Sequence, residues 1–514
     1  MDVEKQASVE VLSDSKSGIE NWSPAAAISE CGDTSDPIDA VKERQLVRRI
    51  DVRLVPASMF IYLLCFLDRS NIGNAKLLNN DTGDSLLQSV HISDQQYLVA
   101  LMIFIVAYTI FETPSNYLLK KFAPSRWIPI LMLGWGLMTM VLGAVNNFAA
   151  LVVVRFLLGA FEAGLFPGII YCLTFWYKPD ERALRAAFIL ACATLGGAFG
   201  GAIAFGVGHM DRVRGLEAWR WLFILEGIPS CLCALLVFAF YPNFPETARW
   251  LSTEERALAI GRIKGVSSLG HARISWAEAK ETLLDMRLYL HYLVYIAISV
   301  PFSSISLFAP TIVAGLGYEG LQAQLFTVPP YAIAFVITVA VAWQSDKHEM
   351  RSWGAFYSLL IAGVAFLLQG ALPSHAFKAR YGLLCIAVTF SFASIPPLLS
   401  WLAANLRSTG ASTLAIPLNV SIGQIGQIVG VYIFKSSEAP RYQTGHFTNA
   451  AFLIMGAVVV LVLRVLYKRR NKALAIGKYV WPNRRFEVGV PADKTGEVAG
   501  LQGNNCKMAD AQEH

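Results

Sequence analysis

The chain has 514 residues, of which 55% are hydrophobic and only 16% are charged. Soluble domains carry about 25% charged residues, so this composition indicates a surface that faces lipid and excludes an ordinary soluble protein. The formal net charge of +6 would favour nucleic-acid binding if it were clustered, but Lys and Arg fall mainly in short loops, so no nucleic-acid partner is expected.

Apolar runs long enough to cross a bilayer as helices, about 20 residues each, occur repeatedly along the chain. The runs lie at 54–78, 96–118, 127–145, 148–177, 184–208, 219–241, 288–314, 325–344, 353–372, 381–402, 411–434 and 448–467. Their length and the absence of apolar–polar alternation exclude a β-barrel. We therefore predict an all-α polytopic membrane protein with twelve transmembrane helices, embedded in a lipid bilayer.

A polar stretch in the middle of the chain divides these runs into two sets of six. We predict a cytoplasmic tail, a first six-helix half, a cytoplasmic central loop, a second six-helix half and a cytoplasmic tail, at 1–53, 54–241, 242–286, 287–470 and 471–514. Two six-helix halves around a central loop resemble the major facilitator fold. We expect the protein to be monomeric.

The positive residues predict which ends of the helices face the cytoplasm. With both termini inside, the inside segments hold 26 Lys and Arg and the outside loops hold seven, and loops 79–95 and 315–324 hold none. This asymmetry favours cytoplasmic termini. One outside loop contains the sequence Asn80-Asp81-Thr82, but Asn80 lies so close to the membrane that it is a weak glycosylation candidate.

The first apolar run contains the adjacent charged residues Asp68 and Arg69. A helix from Leu54 would carry Asp68 about 21 Å along its axis, just past the middle of the hydrocarbon layer. A charge at that depth costs at least ~2.5–3.5 kcal/mol, so it indicates a ligand or ion pathway. An ion pair that only joins helices is the alternative. Asn71 lies three residues from Asp68, on the same predicted face.

The fourth run contains a second charged pair, Arg155 and Glu162. Seven residues place both on one helix face, about 10.5 Å apart along the axis. Burial disfavours the ionised form of Glu162 and a nearby Arg favours it, so Glu162 is a candidate to load and release a proton. For Arg155, a purely structural role is the alternative. Glu112 and Glu226 are expected nearer the cytoplasmic ends of their helices, where they would tether loops.

Weaker candidates for substrate contact are polar residues on two runs of the second half: Tyr292, Tyr295, Asn419 and Gln424. Polar residues in helix bundles more often bond to neighbouring helices, which is the alternative for each. No His and Cys spacing suits a metal ion, and no phosphate-binding loop or paired catalytic motif is present. We therefore expect no metal, no cofactor and no enzymatic activity.

Five segments together resemble the fungal allantoate permease group, in the anion:cation symporter branch of the major facilitators. They are FLDRSNIGNAK (66–76), FETPSNYLLKKFAPSRW (111–127), RFLLGAFEAGLFPG (155–168), WRWLFILEGIPS (219–230) and FPETARWLSTEE (244–255). The resemblance runs from about Arg48 to Arg470. It implies proton-driven transport of a small organic anion across the plasma membrane, by alternating access. An exporter of a secondary metabolite, or a nutrient sensor that does not transport, is the alternative.

The same resemblance implies roles for individual residues. Asp68 and Glu162 would carry protons, and Arg69 and Arg155 would bind the anion or balance charge.

The resemblance also implies a gate. The loops LKKFAPSRW (119–127) and SDKHEMRSW (345–353) occupy matching places in the two halves. The family places Asp before the basic pair, where the first loop has Lys120 and the second keeps Asp346. We therefore expect an asymmetric gate that depends on Asp346, Lys347 and Arg351.

Overall fold

The computed structural model describes residues 40–263, 276–318, 320–406 and 409–475, and the regular elements within these ranges are all helical. By its internal contacts the chain divides into residues 1–49 and 50–514, and the description below concerns the second unit. Twelve candidate membrane spans, recognised by length and hydropathy, occur in the described part of the chain. The predicted all-helical fold of two six-helix halves is confirmed.

The twelve spans are built in chain order from these helices: Ala40–Leu77 (first), Asp94–Phe122 (second), Pro124–Leu142 (third), Phe148–Glu162 with Leu165–Thr174 (fourth), Pro179–Gly208 (fifth), Ala218–Phe240 (sixth), Met286–Ala314 (seventh), Gly320–Leu325 with Val328–Lys347 (eighth), Arg351–Ala371 (ninth), Phe377–Ala393 with Ile395–Asn405 (tenth), Thr409–Tyr432 (eleventh) and Gln443–Ala475 (twelfth). Shorter helices lie between them, at Leu86–Ser89, Thr253–Gly261 and Trp276–Leu283. The predicted cytoplasmic tails fall largely outside the described residues, as do residues 264–275 of the predicted central loop.

Polar side chains define where several helices begin. Ser93 accepts a hydrogen bond from the backbone N–H of Gln96, which starts the second span with a capping box. The side chain of Asn147 accepts from the N–H of Ala150, 2.8 Å away, at the start of the fourth span. These caps satisfy N–H groups that have no partner within the helix.

Three spans that the sequence predicts as single helices are interrupted. In the fourth, Gly164 has φ +80°, a conformation that glycine adopts without the steric cost of a Cβ atom. In the tenth, Pro396 and Pro397 open a new helix directly after Ser394. In the eighth, Pro329 and Pro330 do so after Thr327. Proline is tolerated in the first turn of a helix but disrupts its interior, so each proline pair begins a helix.

The two halves meet at several pairs of spans: the fifth with the eighth and the tenth, the second with the eleventh, and the first with the seventh. Glycines permit the closest of these approaches. A Cβ atom on Gly201 of the fifth span would lie 2.6 Å from the carbonyl oxygen of Gln324, at the start of the eighth span. The neighbouring Gly197 lies against the ring of Tyr331 in the same way. The halves are therefore closely packed beside residues 197–208, and also where a Cβ on Gly73 of the first span would overlap the carbonyl oxygen of Leu307 on the seventh.

Hydrogen bonds add to the seam on the predicted outer side. The Gln324 side-chain amide donates to the carbonyl oxygen of Asn74, at 3.1 Å, and so joins the eighth span to the first. Tyr432 of the eleventh span donates to the sulfur of Met102 on the second, at 3.3 Å. The halves are thus held together where the first span ends and the eighth begins.

Candidate functional site

The ionisable residues inside the first half are buried. Asp68, Arg155, Glu162, Glu226 and Glu112 are all at most 4% exposed. No ion pair joins any of these side chains to another within the described ranges. Arg155 lies with Arg69 at a cavity between the halves. Asp68 and Glu226 lie instead between the first and sixth spans.

Two arginines meet at one aromatic ring. The guanidinium carbon of Arg69 lies 5.2 Å from the ring centre of Phe104, and that of Arg155 lies 4.5 Å from the same ring centre. Arg69 also lies 5.6 Å from the ring of Tyr108 and donates from Nη2 to Oε1 of Gln427, on the eleventh span. The second span thus places Phe104 and Tyr108 so that they stack with cations from the first and fourth spans.

A narrow cavity lies between the halves at this point. From the first half it is lined by Arg69, Phe104 and Arg155, and from the second half by Phe302, Ser303 and Ser306 of the seventh span. Nε and Nη1 of Arg155 have no hydrogen-bond partner in the described part of the chain. The cavity therefore combines buried positive charge, hydroxyl groups and aromatic walls.

Glu162 lies on the same helix face as Arg155, as the spacing predicts, but the two do not form an ion pair. Oε2 of Glu162 accepts a hydrogen bond from the thiol of Cys65, with the sulfur 3.7 Å away. Oε1 has no partner among the described residues. The carboxylate is 0% exposed and lies at the end of the helix Phe148–Glu162, next to the break in the fourth span.

Asp68 points away from the cavity, because adjacent residues on a helix face different directions. Its Oδ2 accepts from the hydroxyl of Ser230 on the sixth span, 2.6 Å away. Asn71, one turn further along, donates from its side-chain amide to Oε2 of Glu226. The first and sixth spans are therefore joined by two side-chain hydrogen bonds, Asp68–Ser230 and Asn71–Glu226.

The prediction that Glu112 and Glu226 tether loops is wrong. Glu226 lies eight residues after the first residue of Ala218–Phe240, inside the bundle, and bonds to Asn71. Glu112 accepts from the hydroxyl of Ser421 on the eleventh span, at 2.9 Å, and so contacts the opposite half. The sequence did not predict these two contacts, because the prediction considered how far each glutamate lies from a helix end and could not consider which helix packs against it.

The weaker candidates are spread over several environments. The hydroxyl of Tyr292 donates to the carbonyl oxygen of Ala415, at 3.5 Å, and its ring packs in an apolar cluster instead of lining the cavity. Tyr295 packs against Gly423. Asn419 and Gln424 are buried, each with a side-chain oxygen that has no partner within the described segments. On the eleventh span Gln427, not Gln424, reaches Arg69.

The predicted gate residues lie close together within the second half. Asp346 pairs with Arg351 at 2.7 Å, and the ammonium of Lys347 lies 4.7 Å from the ring centre of Trp343. The side chain of Lys120 falls outside the described residues. The asymmetric gate therefore stays a prediction.

Asn80 is an exposed loop residue whose side-chain oxygen accepts from Ser85, at 3.3 Å. Its glycosylation also stays a prediction. Among the described residues, no group of three or more His, Cys, Asp or Glu side chains is placed to hold a metal ion.

Comparison with known proteins identifies the family. Residues 58–431 match the profile of the Major Facilitator Superfamily. The chain belongs to this superfamily. Major facilitators are transporters, so this protein is a multi-pass membrane transporter with a fold that implies transport and not catalysis.

Individual relatives agree with this assignment. The chain is 54% identical over 440 residues to the "MFS transporter prlL" of a fungal species (strain NRRL 50135), covering 85% of this chain and 89% of that one. It is 30% identical to a "Putative tartrate transporter" of Agrobacterium vitis, covering 84% and 93%. A bacterial homologue of the human lysosomal transporter Spinster, in an inward-facing and occupied conformation, superposes with a TM-score of 0.59 at 15% identity, covering 84% and 98%. This last likeness shows the shared fold.

Proposed function

We propose that this transporter carries a small organic anion, a carboxylate, across the membrane together with protons by alternating access. The observation that supports the anion most directly is Arg155, which is 1% exposed and has two guanidinium nitrogens, Nε and Nη1, without hydrogen-bond partners beside a cavity in the described part of the chain. A buried cation without a counter-charge is costly. A carboxylate ligand would offset that cost and accept two hydrogen bonds from the planar guanidinium.

Arg69 would connect the bound anion to the second half. It already donates to Gln427 across the seam between the halves. An anion in the cavity would compete with Gln427 for the guanidinium of Arg69, since both are hydrogen-bond acceptors. Binding would thereby change a contact between the halves, as alternating access requires.

Glu162 is the residue proposed to bind and release the proton. It shares a helix face with Arg155 but forms no ion pair with it in this arrangement. A neutral, protonated Glu162 would leave Arg155 available to the anion. An ionised Glu162 would compete with the anion for Arg155. Proton binding and anion binding would then favour each other, which is the condition for symport.

Two comparisons support this choice of substrate class. The five segments that resemble the fungal allantoate permease group include both charged pairs, Asp68-Arg69 and Arg155 with Glu162. The Agrobacterium vitis relative carries the name of a tartrate transporter, and tartrate is a small dicarboxylate. Tartrate is therefore the first probe to use.

The test is a binding screen on the purified full-length protein in detergent, with tartrate and a panel of other small carboxylates set against their amides. Thermal unfolding reports binding, because a ligand that binds only the folded state raises the unfolding temperature. We expect stabilisation by at least one acid and none by its amide. The exposed substitution Arg214→Lys, in the loop after the fifth span, should keep the response and Arg155→Gln should lose it. Equal stabilisation by acids and amides would contradict anion recognition.

A further inference from the structure

A second group of buried acids lies between the first and sixth spans, away from the cavity. Asp68 is 1% exposed and Glu226 is 4% exposed, and neither lines the cavity described above. We propose that Asp68 and Glu226 form a shared proton-binding site, with Glu226 as a second proton carrier besides Glu162. The proposal rests on proton-coupled transport as the function.

Asp68, Asn71, Glu226 and Ser230 form what we call the ladder, in which two side-chain hydrogen bonds, the rungs, join the first span to the sixth. Asp68 and Asn71 are three residues apart on the first span, and Glu226 and Ser230 are four apart on the sixth, so each pair occupies one helix face. One rung is Ser230 donating to Asp68, at 2.6 Å, and the other is Asn71 donating to Glu226. The hydroxyl of Ser230 also lies 3.5 Å from the carbonyl oxygen of Glu226.

Each carboxyl group keeps one oxygen free. Oδ1 of Asp68 and Oε1 of Glu226 are buried and have no hydrogen-bond partner within the described residues. Such buried oxygens are expensive to leave as unpaired anions, and natural structures avoid them. A proton on either oxygen removes the charge without disturbing the two rungs.

No positive charge compensates the ladder in the described part of the chain. Arg69 donates to Gln427 and stacks on the ring of Phe104. Arg220 lies on the same helix as Glu226, but it donates to the carboxylate of Glu217, at 2.5 Å, and to the carbonyl oxygen of Gly143, at 3.0 Å. The other titratable groups that face Asp68 are Glu162 of the fourth span, Cys65 of its own span and Cys231 of the sixth. The third span contributes the neutral Trp135, whose indole N–H faces Asp68 but makes no hydrogen bond to Oδ1 in this arrangement.

Two neighbouring carboxylates without a cation cannot both be ionised at low cost in such a site. The ladder therefore holds at least one proton in this arrangement, and a change in its surroundings would release it.

The ladder also reaches the contact between the halves. Asn71 accepts from the side chain of Asn74, at 3.4 Å, and the carbonyl of Asn74 accepts from Gln324 of the eighth span, at 3.1 Å. A chain of hydrogen bonds thus runs from Glu226 through Asn71 and Asn74 to the second half. Loss of a proton from Glu226 would strengthen its bond to Asn71 and alter this chain. Proton release would in this way act on a contact between the halves.

The direct test is infrared titration of the full-length protein in lipid, with no substrate present. Protonated carboxylic acids absorb in a C=O stretching region of their own, separate from carboxylates. Glu226→Gln keeps the size of the side chain and an oxygen for Asn71, so we expect it to fold and to lose one carboxylic-acid band. The exposed control Glu254→Gln should lose none, and Glu162→Gln should lose a different band.

An unchanged carboxylic-acid region in Glu226→Gln at every pH, with a thermal unfolding temperature equal to wild type, would overturn the proposal. A second readout is the proton-to-anion ratio in proteoliposomes, which should fall in Glu226→Gln while substrate exchange persists. The proton-binding site and proton-coupled transport can be contradicted independently of each other. A band lost from Glu226→Gln in a protein that shows no pH-driven transport would leave the site standing and contradict symport. An unchanged band in a coupled wild-type transporter would contradict the site alone.

Discussion

At the level of single residues, Arg69 and Arg155 differ in how their guanidinium groups are satisfied. Arg69 has a hydrogen bond to Gln427, whereas Nε and Nη1 of Arg155 have none in the described part of the chain. Both stack with Phe104. We therefore expect Arg155 to be the residue whose environment would change most on binding of the proposed anion.

We predict that Arg155→Lys weakens anion binding without abolishing it. Lysine keeps the charge but loses the planar pair of donors. The loss of charged hydrogen bonds worth ~1.5–3 kcal/mol corresponds to roughly a 10–150-fold rise in the concentration for half-maximal uptake. Uptake kinetics in proteoliposomes measure this half-maximal concentration, and the exposed variant Arg214→Lys is the matched control. An unchanged half-maximal concentration would show that Arg155 is structural.

A second prediction concerns Glu162, which binds the proton in the proposed cycle. Glu162→Gln mimics the protonated side chain permanently, so substrate should still bind and exchange. Accumulation against a gradient should be lost, because no proton is released. Measuring exchange and net uptake at outside pH 5 and 7 distinguishes retained substrate exchange from lost accumulation. The exposed variant Glu254→Gln serves as control. Concentrative uptake by the Gln variant at the wild-type level would remove Glu162 from the coupling.

The sequence could single out Asp68, Arg69, Arg155 and Glu162 as candidate site residues, because a charge inside a long apolar run is costly. Their roles stay predictions. The sequence could not identify Glu226 as a partner of Asn71, because that contact joins helices far apart in the chain. Polar residues without charge are less informative. Tyr292 and Gln427 lie on equally polar runs, yet only Gln427 reaches Arg69.

At the level of helices, the contact between the fifth and eighth spans depends on the absence of a side chain at Gly201. A Cβ there would lie 2.6 Å from the carbonyl oxygen of Gln324, whereas a Cβ on Gly206, in the same helix, would meet nothing within 4 Å. The two glycines therefore form a matched pair for testing this contact.

We predict that Gly201→Ala destabilises the protein in this arrangement and that Gly206→Ala does not. Overpacking costs about 1–3 kcal/mol, while alanine in an open helical site is favourable by about 1 kcal/mol. Thermal unfolding in detergent should show a lower midpoint for the first and an equal or higher midpoint for the second. Identical midpoints would mean that the fifth and eighth spans are not packed as described.

Hydropathy predicted where helices cross the membrane, because the bilayer requires about 20 apolar residues for each crossing. It could not predict the interruptions in the fourth, eighth and tenth spans. Gly164, Pro330 and Pro397 are all compatible with membrane helices, since neighbouring helices can satisfy a broken backbone. Which of the chain's glycines and prolines interrupt a helix depends on packing that is not local in sequence.

At the level of the whole molecule, the halves are joined on the predicted outer side by Gln324 with Asn74 and by Tyr432 with Met102. Alternating access requires these contacts to separate. The orientation itself, with cytoplasmic termini, stays a prediction from the Lys and Arg asymmetry.

We predict that a short thiol cross-link between Cys residues introduced at Asn74 and Gln324 stops transport and that reduction restores it. The control is a cross-link between Cys residues at Asp84 and Arg212, which pair on the same side but within the first half. That control should leave transport intact. Native cysteines would first be replaced, since those in the described segments lie in the spans. Transport that continues at the wild-type rate with the first cross-link complete would exclude opening at this contact.

The central claim, that anion and proton move together, is tested most directly by tartrate uptake into proteoliposomes under an imposed pH gradient. With the outside acidic, the protein should accumulate labelled tartrate above its outside concentration, and a protonophore should collapse that accumulation to equilibrium. Empty liposomes and the Glu162→Gln variant should show no accumulation. Uptake that reaches the same level with and without the pH gradient would contradict proton coupling.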